Sequence, residues 1–365
     1  MVDDRAFMAR ALTLAERGRG RTSPNPMVGA IVVDDEGIVV GRGAHEFAGG
    51  AHAEIHALAD AGDRARGATL YCTLEPCSHV GRTGPCAPRV VDAGIRRAVV
   101  AVEDPNPRVS GRGFEHLRAH GVEVTVGVLR EEAERQNRAF FTLMRLGRPY
   151  VTLKAAVSLD GRVAAAPGVR TAITGADAGR TIHRERAEID ALAVGSGTLL
   201  VDDPVLTARG AYRHRPLVRV IFDRRLRTAP TARVLSTLAH GPVVVITGAI
   251  GDDDRLRRAD ALRRAGADLM VTASSDRALS IQEALSMLGA RGVTSLLVEG
   301  GPTLQQAFWD AAVVDRVEVF VAPRPLGRDG VAWALADASI ARLDDVSARP
   351  IGEDVLIEGY VHRID

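Results

Sequence analysis

The sequence predicts an α/β protein with two domains, and three observations lead to this fold class. The chain has 365 residues, and an ordinary domain has roughly 150. Short apolar runs of strand type alternate with segments of helical periodicity, as in layered α/β domains with parallel strand pairs. The alternation stops at a Gly-Arg-Pro segment, residues 147–149, and then begins again. We therefore expect one domain over residues 1–146 and a second over residues 147–365.

The first half opens with a helix and a hairpin. Apolar positions at helical spacing predict a helix over residues 5–17. Two apolar runs around an Asp-Asp-Glu-Gly turn predict a β-hairpin over residues 28–33 and 38–41. Further helices are expected at 52–61, 85–93, 113–119 and 131–146, and strands at 68–73, 97–102 and 122–126.

The second half repeats the alternation of strands and helices, with no fixed-period repeat. The predicted strands are 150–158, 191–194, 217–222, 243–247, 269–272, 295–299, 317–321 and 354–362. The predicted helices are 178–187, 255–265, 281–290 and 303–312.

Composition and charge exclude several classes of function. The formal net charge is +1 and aromatic residues make up 4% of the chain, so no basic or stacking surface for nucleic acid is indicated. No apolar stretch approaches the roughly 20 residues that span a bilayer. The first residues mix acids and bases and lack the apolar core of a secretory signal, which leads us to expect a cytoplasmic protein.

One group of residues carries a metal-site pattern. His52 and Glu54 stand at a predicted helix start, and eight residues separate Cys77 from Cys86. One imidazole and two thiolates bind zinc and leave its fourth tetrahedral position for water, whose pKa the metal lowers. Glu54 is then placed to take the water proton and return it to the substrate. The pattern predicts a zinc-dependent hydrolytic deaminase.

A closed structural zinc site is the alternative interpretation. It needs a fourth protein ligand, for which His56 or His79 is available. A closed site has no use for Glu54, so the open site is favoured. The remaining cysteine, Cys72, is expected to pack in a strand core rather than to bind metal.

Glycine-rich segments in the second half indicate phosphate binding. Residues 299–304 (EGGPTL) follow an apolar strand and open a helix, where backbone amides hold phosphate groups, and residues 195–198 (GSGT) are similar. Arg224, Arg225 and Arg227 follow a strand and suit the 2′-phosphate that distinguishes NADP from NAD. A plain strand-to-helix turn and a solvated basic turn are the alternatives.

Lys154 is the only lysine, in a chain that otherwise uses arginine. The lysine ammonium is compact and mobile, whereas the arginine guanidinium is planar, so the two groups are not interchangeable. The retention of a lysine at position 154 therefore indicates a functional role. Chance in an arginine-biased proteome is the alternative.

Several segments of the first half together resemble the bifunctional deaminase/reductase family of riboflavin biosynthesis. They are residues 23–30 (SPNPMVGA), 52–54 (HAE), 73–86 (TLEPCSHVGRTGPC) and 104–107 (DPNP). The resemblance implies zinc and a cytidine-deaminase-like α/β/α layered domain acting on a phosphoribosylated diaminopyrimidinone. By residue match it implies a pocket formed by Asn25, His45, His79, Arg82, Asp104 and Asn106, with His79 and Arg82 near the phosphate.

These pocket assignments have structural alternatives. The asparagine and aspartate side chains lie beside prolines and are also suited to capping turns. An isolated residue such as His45 is often a structural hydrogen-bonding group. Gly84 stands where the family usually has proline, a departure that removes no ligand.

The second half resembles the reductase domain of the same family, which has a dihydrofolate-reductase-like fold. The matching segments are 150–161 (YVTLKAAVSLDG), 183–186 (HRER), 195–198, 202–209 (DDPVLTAR) and 299–301. The resemblance implies that NADPH is held by Ala156, Thr198, Asp202, Gly301, Pro302, Thr303, Leu304, Gln305, Gln306 and Ala307. It implies that Lys154, Arg186, Leu206, Arg209 and Glu299 hold the substrate.

Two positions of the second half depart from the family pattern. Arg170 and Ala172 stand where a serine and a tryptophan are usual, which leaves the nicotinamide side of the site undefined. His183 is expected to be a helix-surface residue, because a lone histidine is commonly structural.

The expected function is therefore deamination of a pyrimidine followed by NADPH-dependent reduction of its ribosyl group to a ribityl chain. A nucleic-acid-editing deaminase with an accessory binding domain is the first alternative, and the near-neutral charge opposes it. A non-catalytic zinc module with a nucleotide-sensing domain is the second, and Glu54 opposes it. We also expect a homo-oligomer, a dimer or tetramer, without nucleic-acid or membrane partners.

Overall fold

The protein consists of two compact units. The computed structural model describes residues 3–78, 84–107, 109–333, 335 and 343–361. The units are Met1–Gly147 and Arg148–Asp365, and each has its own buried apolar core. No helix in these described ranges is both long enough and apolar enough to cross a membrane.

The first unit contains a five-stranded sheet with helices around it. The strand order is β2-β1-β3-β4-β5; β1 pairs antiparallel with β2 and β3, and β3, β4 and β5 are parallel. The strands are β1 (Gly29–Val33), β2 (Val39–Ala44), β3 (Thr69–Cys72), β4 (Arg97–Val100) and β5 (Glu123–Val126). The helices are α1 (Asp4–Ala15), α2 (Ala53–Ala61), α3 (Cys86–Asp92), α4 (Arg112–Ala119), α5 (Arg130–Gln136) and α6 (Arg138–Leu146).

Close packing of α2 against β2 depends on two glycines. A Cβ atom at Gly41 would lie 2.2 Å from the Ala57 carbonyl oxygen, and one at Gly43 would lie 2.1 Å from the Ala53 carbonyl oxygen. Both distances are far inside van der Waals contact, so only glycine permits this approach of strand and helix backbones. The first turn of α2 carries Glu54, which is thereby placed beside the sheet.

The helix expected at 131–146 is broken into α5 and α6. The break lies at Asn137, whose φ is −112°. The Asn137 side chain accepts a hydrogen bond from the Met27 backbone N–H at 2.8 Å and donates one to the Met27 carbonyl oxygen at 2.8 Å. A side-chain amide that pairs with a distant backbone segment competes with helix continuation, and helical periodicity does not reveal that partner.

The second unit is built on a nine-stranded sheet of order β11-β10-β9-β8-β12-β6-β13-β16-β15. The pairs from β11 to β13 are parallel, and the last two pairs are antiparallel. The strands are β6 (Tyr150–Ser158), β7 (Arg162–Ala164), β8 (Ala191–Gly195), β9 (Val218–Phe222), β10 (Val243–Thr247), β11 (Asp268–Val271), β12 (Ser295–Val298), β13 (Arg316–Ala322), β14 (Val331–Ala332), β15 (Asp344–Ile351) and β16 (Asp354–Tyr360). The helices are α7 (Ala176–Glu188), α8 (Ser196–Asp202), α9 (Asp253–Arg264), α10 (Arg277–Ala290) and α11 (Pro302–Asp310).

The elements that the sequence did not predict are short or exposed. In the described part of the chain, the strands β7 and β14 form a two-stranded sheet of their own, and the helix α8 begins where the sequence indicated a loop. Almost every residue of β15 is exposed. A strand without a buried face has no alternation of apolar and polar residues, so its sequence carries no strand signal.

A buried ion pair ties the start of β6 to the start of β13. Asp315 accepts hydrogen bonds from two Arg148 nitrogens at 2.6 and 2.7 Å and from the Val151 backbone N–H at 2.7 Å. The Asp315 side chain is 2% exposed and the Arg148 side chain 13% exposed. Removing one partner leaves the other as an uncompensated buried charge.

We expect Asp315→Ala to lower the free energy of unfolding of the second unit by about 3–5 kcal/mol, because Arg148 loses its counter-charge in a buried setting. Denaturant unfolding followed by circular dichroism measures the change. The matched control is Asp268→Ala, which removes a half-exposed ion pair with Arg291 and should cost about 1 kcal/mol or less. Equal effects of the two substitutions would contradict the structural role of Asp315.

Candidate active sites

Three donor atoms of the first unit lie together as a metal site requires. The ligand atoms of His52, Cys77 and Cys86 all lie within 4.8 Å of one another. His52 Nδ1 is 3.2 Å from Cys86 Sγ and 3.6 Å from Cys77 Sγ. His52 caps the start of α2, and Cys86 begins α3. One imidazole nitrogen and two sulfurs at this spacing fit a zinc ion with a fourth position left for solvent.

The thiols of Cys77 and Cys86 differ in pKa. Hydrogen bonding from Cys86 and from His52 lowers the pKa of Cys77 to about 4. The Cys86 backbone N–H, at the helix start, also donates to Cys77 Sγ at 3.4 Å. Because Cys86 is the thiol that donates, its pKa is raised. A cysteine with a lowered pKa suits a divalent cation that binds thiolate.

Glu54 is buried beside this group. Its side chain is in the first turn of α2 and the residue is 3% exposed. Burial, together with the neighbouring Cys77 thiolate, raises the pKa of Glu54 to about 7. A carboxyl group that gains and loses a proton near neutral pH suits a proton carrier.

A cavity of about 340 Å³ opens at this group. It lies at the carboxyl ends of β3 and β4, where the loops after two neighbouring parallel strands meet. Its polar lining comes from Asn25, His45, His52, Glu54, Glu75, Cys77, Asp104 and Asn106. The structure thus brings four of the six predicted substrate residues to one pocket, at the side chain predicted to be catalytic.

The other predicted deaminase positions lie elsewhere. His79 and Arg82 fall outside the described residues. His56 is exposed, and Cys72 is fully buried in the core of the first unit. Among the residues that the structure describes, the closed-site alternative therefore receives no fourth ligand from His56.

The orientation of the Asn25 amide follows from its contact with His45. His45 Nδ1 lies 3.0 Å from the Ala51 carbonyl oxygen, which can only accept, so Nδ1 carries the proton. Burial lowers the pKa of His45, which keeps the ring neutral. Nε2 is then an acceptor for Asn25 Nδ2 at 3.2 Å. The Asn25 carbonyl oxygen is left as the acceptor that this side chain offers to a ligand.

Asp104 is a second buried acid in the pocket. It is 8% exposed, and burial, with the nearby Glu75 carboxylate, raises its pKa to about 7. Its Oδ1 accepts a hydrogen bond from the Asn106 backbone N–H at 2.8 Å, which holds the turn that carries both predicted residues.

Glu75 is a site residue to which the sequence analysis assigned no role. Its carboxylate accepts hydrogen bonds from the backbone N–H groups of Asp104 (3.2 Å), Gly111 (3.1 Å), Gly113 (2.8 Å) and Phe114 (3.4 Å). It lies two residues before Cys77 and so joins the metal-ligand loop to the Asp104 loop and to the start of α4. The Glu-Pro-Cys sequence was the available signal, but the four donors come from distant residues.

The second unit has a separate cavity of about 410 Å³. It is lined by the first turns of α8 and α11, through Gly195, Ser196, Gly197, Thr303 and Leu304. Arg224, Arg225, Arg227 and Arg277 also line this cavity. Amides at helix starts together with arginine side chains suit the phosphates of a dinucleotide, so these residues fit NADPH.

Asp223 is a further lining residue that sequence reasoning missed. It directly follows β9, comes before the arginines and is fully buried. Its Oδ2 accepts from the Thr228 N–H and hydroxyl at 2.7 Å each, while its Oδ1 has no hydrogen-bond partner among the described residues. A buried acceptor after a strand at a nucleotide cavity suits a ribose hydroxyl.

The predicted cofactor residues divide into two groups. Thr303, Leu304 and Ala307 line this cavity, and the Thr198 hydroxyl accepts from the Gly301 N–H at 3.2 Å, which joins the two glycine loops. Other side chains have partners within the protein: Gln305 bonds Trp333 and the Lys154 carbonyl oxygen, and Gln306 bonds Asp310. The Gln305 side chain thus uses both its nitrogen and its oxygen within the protein.

Three remaining cofactor positions lie outside that lining. Ala156 is half-buried on β6, and Pro302 occupies the first turn of α11. Burial raises the pKa of Asp202, and the charge of Arg170 opposes that shift. Arg170, the departure from the family pattern, therefore acts on a predicted cofactor residue.

Two of the predicted reductase substrate residues bind each other. Arg186 Nε and Nη2 lie 2.7 and 2.6 Å from the two Glu299 oxygens, and the Arg186 side chain also donates to the Thr207 carbonyl oxygen at 3.2 Å. His183 accepts a hydrogen bond from the Arg209 backbone N–H at 3.2 Å, which gives this histidine a structural contact. Leu206 is 4% exposed, so its side chain belongs to the core.

The fold and the two cavities define the class of protein: a zinc-dependent hydrolytic deaminase joined to a nucleotide-dependent reductase. Residues 1–102 match the family described as the cytidine and deoxycytidylate deaminase zinc-binding region. Residues 149–357 match the family described as the RibD C-terminal domain.

Relatives extend over nearly the whole chain. It is 40% identical to the riboflavin biosynthesis protein RibD of Aquifex aeolicus over 360 residues, which cover 97% of each chain. It is 38% identical to RibD of Escherichia coli over 375 residues, which cover 98% of this chain and 99% of that protein. The structure of Acinetobacter baumannii RibD superposes with a TM-score of 0.86 at 35% identity and covers 99% of both chains.

A Thermotoga maritima structure matches with a TM-score of 0.81 and 34% identity over 98% of both chains. That protein is named diaminohydroxyphosphoribosylaminopyrimidine deaminase/5-amino-6-(5-phosphoribosylamino)uracil reductase. The chain belongs to the RibD family. It is a bifunctional enzyme of riboflavin biosynthesis, with a zinc-dependent deaminase and an NADPH-dependent reductase, and the nucleic-acid-editing alternative is not favoured.

We expect Glu75→Gln to lower deaminase kcat/KM by about 10- to 100-fold, because loss of a charged acceptor for backbone N–H groups costs about 1.5–3 kcal/mol. Steady-state ammonia release measures it, and zinc content should stay as in the wild type. Glu103→Gln is the control, since Glu103 is exposed and, among the residues that the structure describes, its side chain accepts one hydrogen bond, from the Ser110 hydroxyl of the same loop. A Glu75 variant with wild-type kinetics would remove the proposed role of this carboxylate.

Proposed function

We propose that the first unit deaminates 2,5-diamino-6-(5-phosphoribosylamino)pyrimidin-4-one to 5-amino-6-(5-phosphoribosylamino)uracil, and that the second unit reduces the ribosyl group of that product to ribityl. The name of the Thermotoga maritima relative supports these substrates. The observation that carries the proposal is the donor group of His52, Cys77 and Cys86 at a cavity that also holds a buried carboxyl, Glu54.

In the deaminase site, His52, Cys77 and Cys86 would hold zinc. When bound, zinc supplies Lewis acidity that lowers the pKa of a water molecule at the open coordination position. Glu54 accepts a proton from the attacking water at its carboxylate and delivers protons to the pyrimidine ring nitrogen and to the departing amino group. The balance is water plus an exocyclic amine, giving a carbonyl and ammonia.

The pocket side chains orient the pyrimidine. The contact with His45 orients the Asn25 amide so that its carbonyl oxygen faces the ligand. This oxygen can accept a hydrogen bond from an N–H of the pyrimidine ring or of an amino group. Asp104 and Asn106 face the same cavity from the turn that Glu75 holds. His79 and Arg82 are assigned to the phosphate on the family resemblance.

In the reductase site, the amides at the starts of α8 and α11 and the arginines around Arg224 would hold NADPH, with Asp223 toward a ribose hydroxyl. When bound, NADPH supplies a hydride to C1 of the opened ribose. Lys154 lies with its ammonium 5.5 Å from the centre of the Phe320 ring and supplies the proton or hydrogen bond that the reduced sugar requires. Arg186 holds Glu299, and Arg209 is assigned to the sugar phosphate.

The proposal places the enzyme in the cytoplasm, where free thiols persist and can serve a metal. The homo-oligomeric state stays a prediction, which light scattering of the purified chain tests.

We expect Glu54→Gln to lower ammonia release by about 10²- to 10⁴-fold, because the amide cannot transfer the proton. Zinc content and NADPH oxidation on deaminated substrate should remain as in the wild type. Elemental analysis and the two assays on one preparation measure all three. Loss of the metal together with activity would show that Glu54 is a ligand rather than a proton carrier.

Lys154→Met should give the opposite pattern, with NADPH oxidation lowered by about 10²-fold or more and ammonia release unchanged. Methionine keeps the unbranched stem and removes the charge. Parallel deaminase and reductase assays measure the separation. Loss of deaminase activity in this variant would contradict two independent sites.

A further inference from the structure

Lys154 lies within a row of acidic side chains that crosses the sheet of the second unit. Its register partner on β13 is Glu318, and the register partner of Glu318 on β16 is Glu358. On the other side, β12 pairs Val298 with Leu153, so continuing the register places Glu299 beside Lys154. Neighbours in register point to the same face of a sheet. The order across the strands is Glu299, Lys154, Glu318, Glu358.

The carboxylates of this row are paired with arginine. Glu299 accepts hydrogen bonds from Nε and Nη2 of Arg186. Arg316, two residues before Glu318 on β13, forms ion pairs with Glu318 at 2.7 Å and with Glu358. Arg316 also lies 3.9 Å from Glu185 on α7, the helix above this face. Arginine therefore pairs with all three carboxylates of the row, and Lys154 lies between Glu299 and Glu318.

Glu318 is the carboxylate with the least contact to solvent in this group. Its side chain is 4% exposed, against 21% for Glu358 and 20% for Glu185. Arg316 binds one of its oxygens, and Oε2 has no hydrogen-bond partner among the described residues. A buried carboxylate acts strongly on a neighbouring cation, because little solvent screens the interaction.

Lys154 itself makes no ion pair within 4.0 Å in the part of the chain that the structure describes. Its ammonium contacts the face of Phe320, which follows Glu318 on the same face of β13. The N–H groups of the ammonium are thus available to a ligand, while carboxylates on the neighbouring strands supply its counter-charge. The titratable and charged groups around it are Glu299 directly after β12, Glu185 and Arg186 from α7, and Glu318 with its ion-pair partner Arg316 from β13. Burial and the neighbouring Glu318 raise the pKa of Glu185 well above its usual range.

We propose that Glu318 is a positioning residue of the reductase site, which together with Glu299 places a carboxylate on each side of the Lys154 ammonium. The inference rests on the proposed role of Lys154 in the reductase reaction and adds to it a residue that does not contact substrate. Burial lowers the pKa of Lys154, and Glu299, Glu185 and Glu318 oppose that shift while Arg186 reinforces it. Removing the charge of Glu318 should therefore lower the pKa of Lys154 further.

The test uses the fact that Lys154 is the only lysine. Biosynthetic labelling with [ε-¹³C]lysine gives a single side-chain signal, whose pH titration reports this ammonium without any activity assay. In Glu318→Gln the titration midpoint should move to lower pH. The alkaline limb of the pH profile of reductase kcat should move to lower pH as well. Above the new midpoint, the charged fraction of Lys154 falls about tenfold for each pH unit, so kcat should be lowered by about tenfold there.

Two variants serve as controls. Glu358→Gln makes the same substitution in the same row, but Glu358 is separated from Lys154 by Glu318, so the midpoint should stay at its wild-type position. Glu318→Asp keeps the charge and should restore the midpoint toward the wild-type value. NADPH binding, measured by calorimetry, verifies that the second unit of each variant is folded.

The outcomes separate the inference from the proposed function. An unchanged midpoint in Glu318→Gln, or equal shifts in Glu318→Gln and Glu358→Gln, overturns the positioning role even if Lys154→Met abolishes reduction. A shifted midpoint in Glu318→Gln combined with full reductase activity of Lys154→Met supports the electrostatic role of Glu318 and instead refutes the proposed role of Lys154.

Discussion

The first unit depends on one electrostatic constraint: two sulfurs, an imidazole and a carboxyl group are buried together. The ligand atoms of His52, Cys77 and Cys86 lie within 4.8 Å of one another, and Glu54 beside them is nearly inaccessible. Burying a thiolate next to a carboxylate is unfavourable unless a cation compensates both. A divalent metal is the group that resolves this constraint, and the same charge that stabilises the arrangement activates water. Stability of the site and its chemistry therefore have one cause.

Around that centre, the protein uses backbone donors more than side-chain cations. Glu75 accepts hydrogen bonds from four backbone N–H groups of the loop after β4 and the start of α4, and the Asn137 amide binds both backbone groups of Met27. Each of these polar side chains joins segments that are far apart in the chain but adjacent at the pocket. A ligand cavity formed by loops needs such ties, because loops have few packing contacts of their own.

The second unit has the opposite requirement, because its proposed ligands carry phosphate groups and need positive charge in the site. Helix starts and arginines line the cavity that fits the dinucleotide, whereas the row from Glu299 to Glu358 keeps a lysine between carboxylates. Arginine suits phosphate because its guanidinium offers several donors in fixed directions. An ammonium is smaller and loses its proton more easily, which suits proton transfer. This chemical difference explains why arginines line the dinucleotide cavity and the lysine lies between carboxylates.

By itself, the sequence determined the alternation of strands and helices, the two-part organisation, and the group of His52, Glu54, Cys77 and Cys86. These features are local or depend on residue type, because periodicity records the buried face and zinc accepts few side chains. The tertiary structure decided what depends on distant partners. It broke a helix at Asn137, oriented Asn25 through His45, engaged Gln305 within the protein, and placed Glu318 beside Lys154. The reason is physical: hydrogen bonds and charge pairs between distant segments leave no periodic trace in the chain.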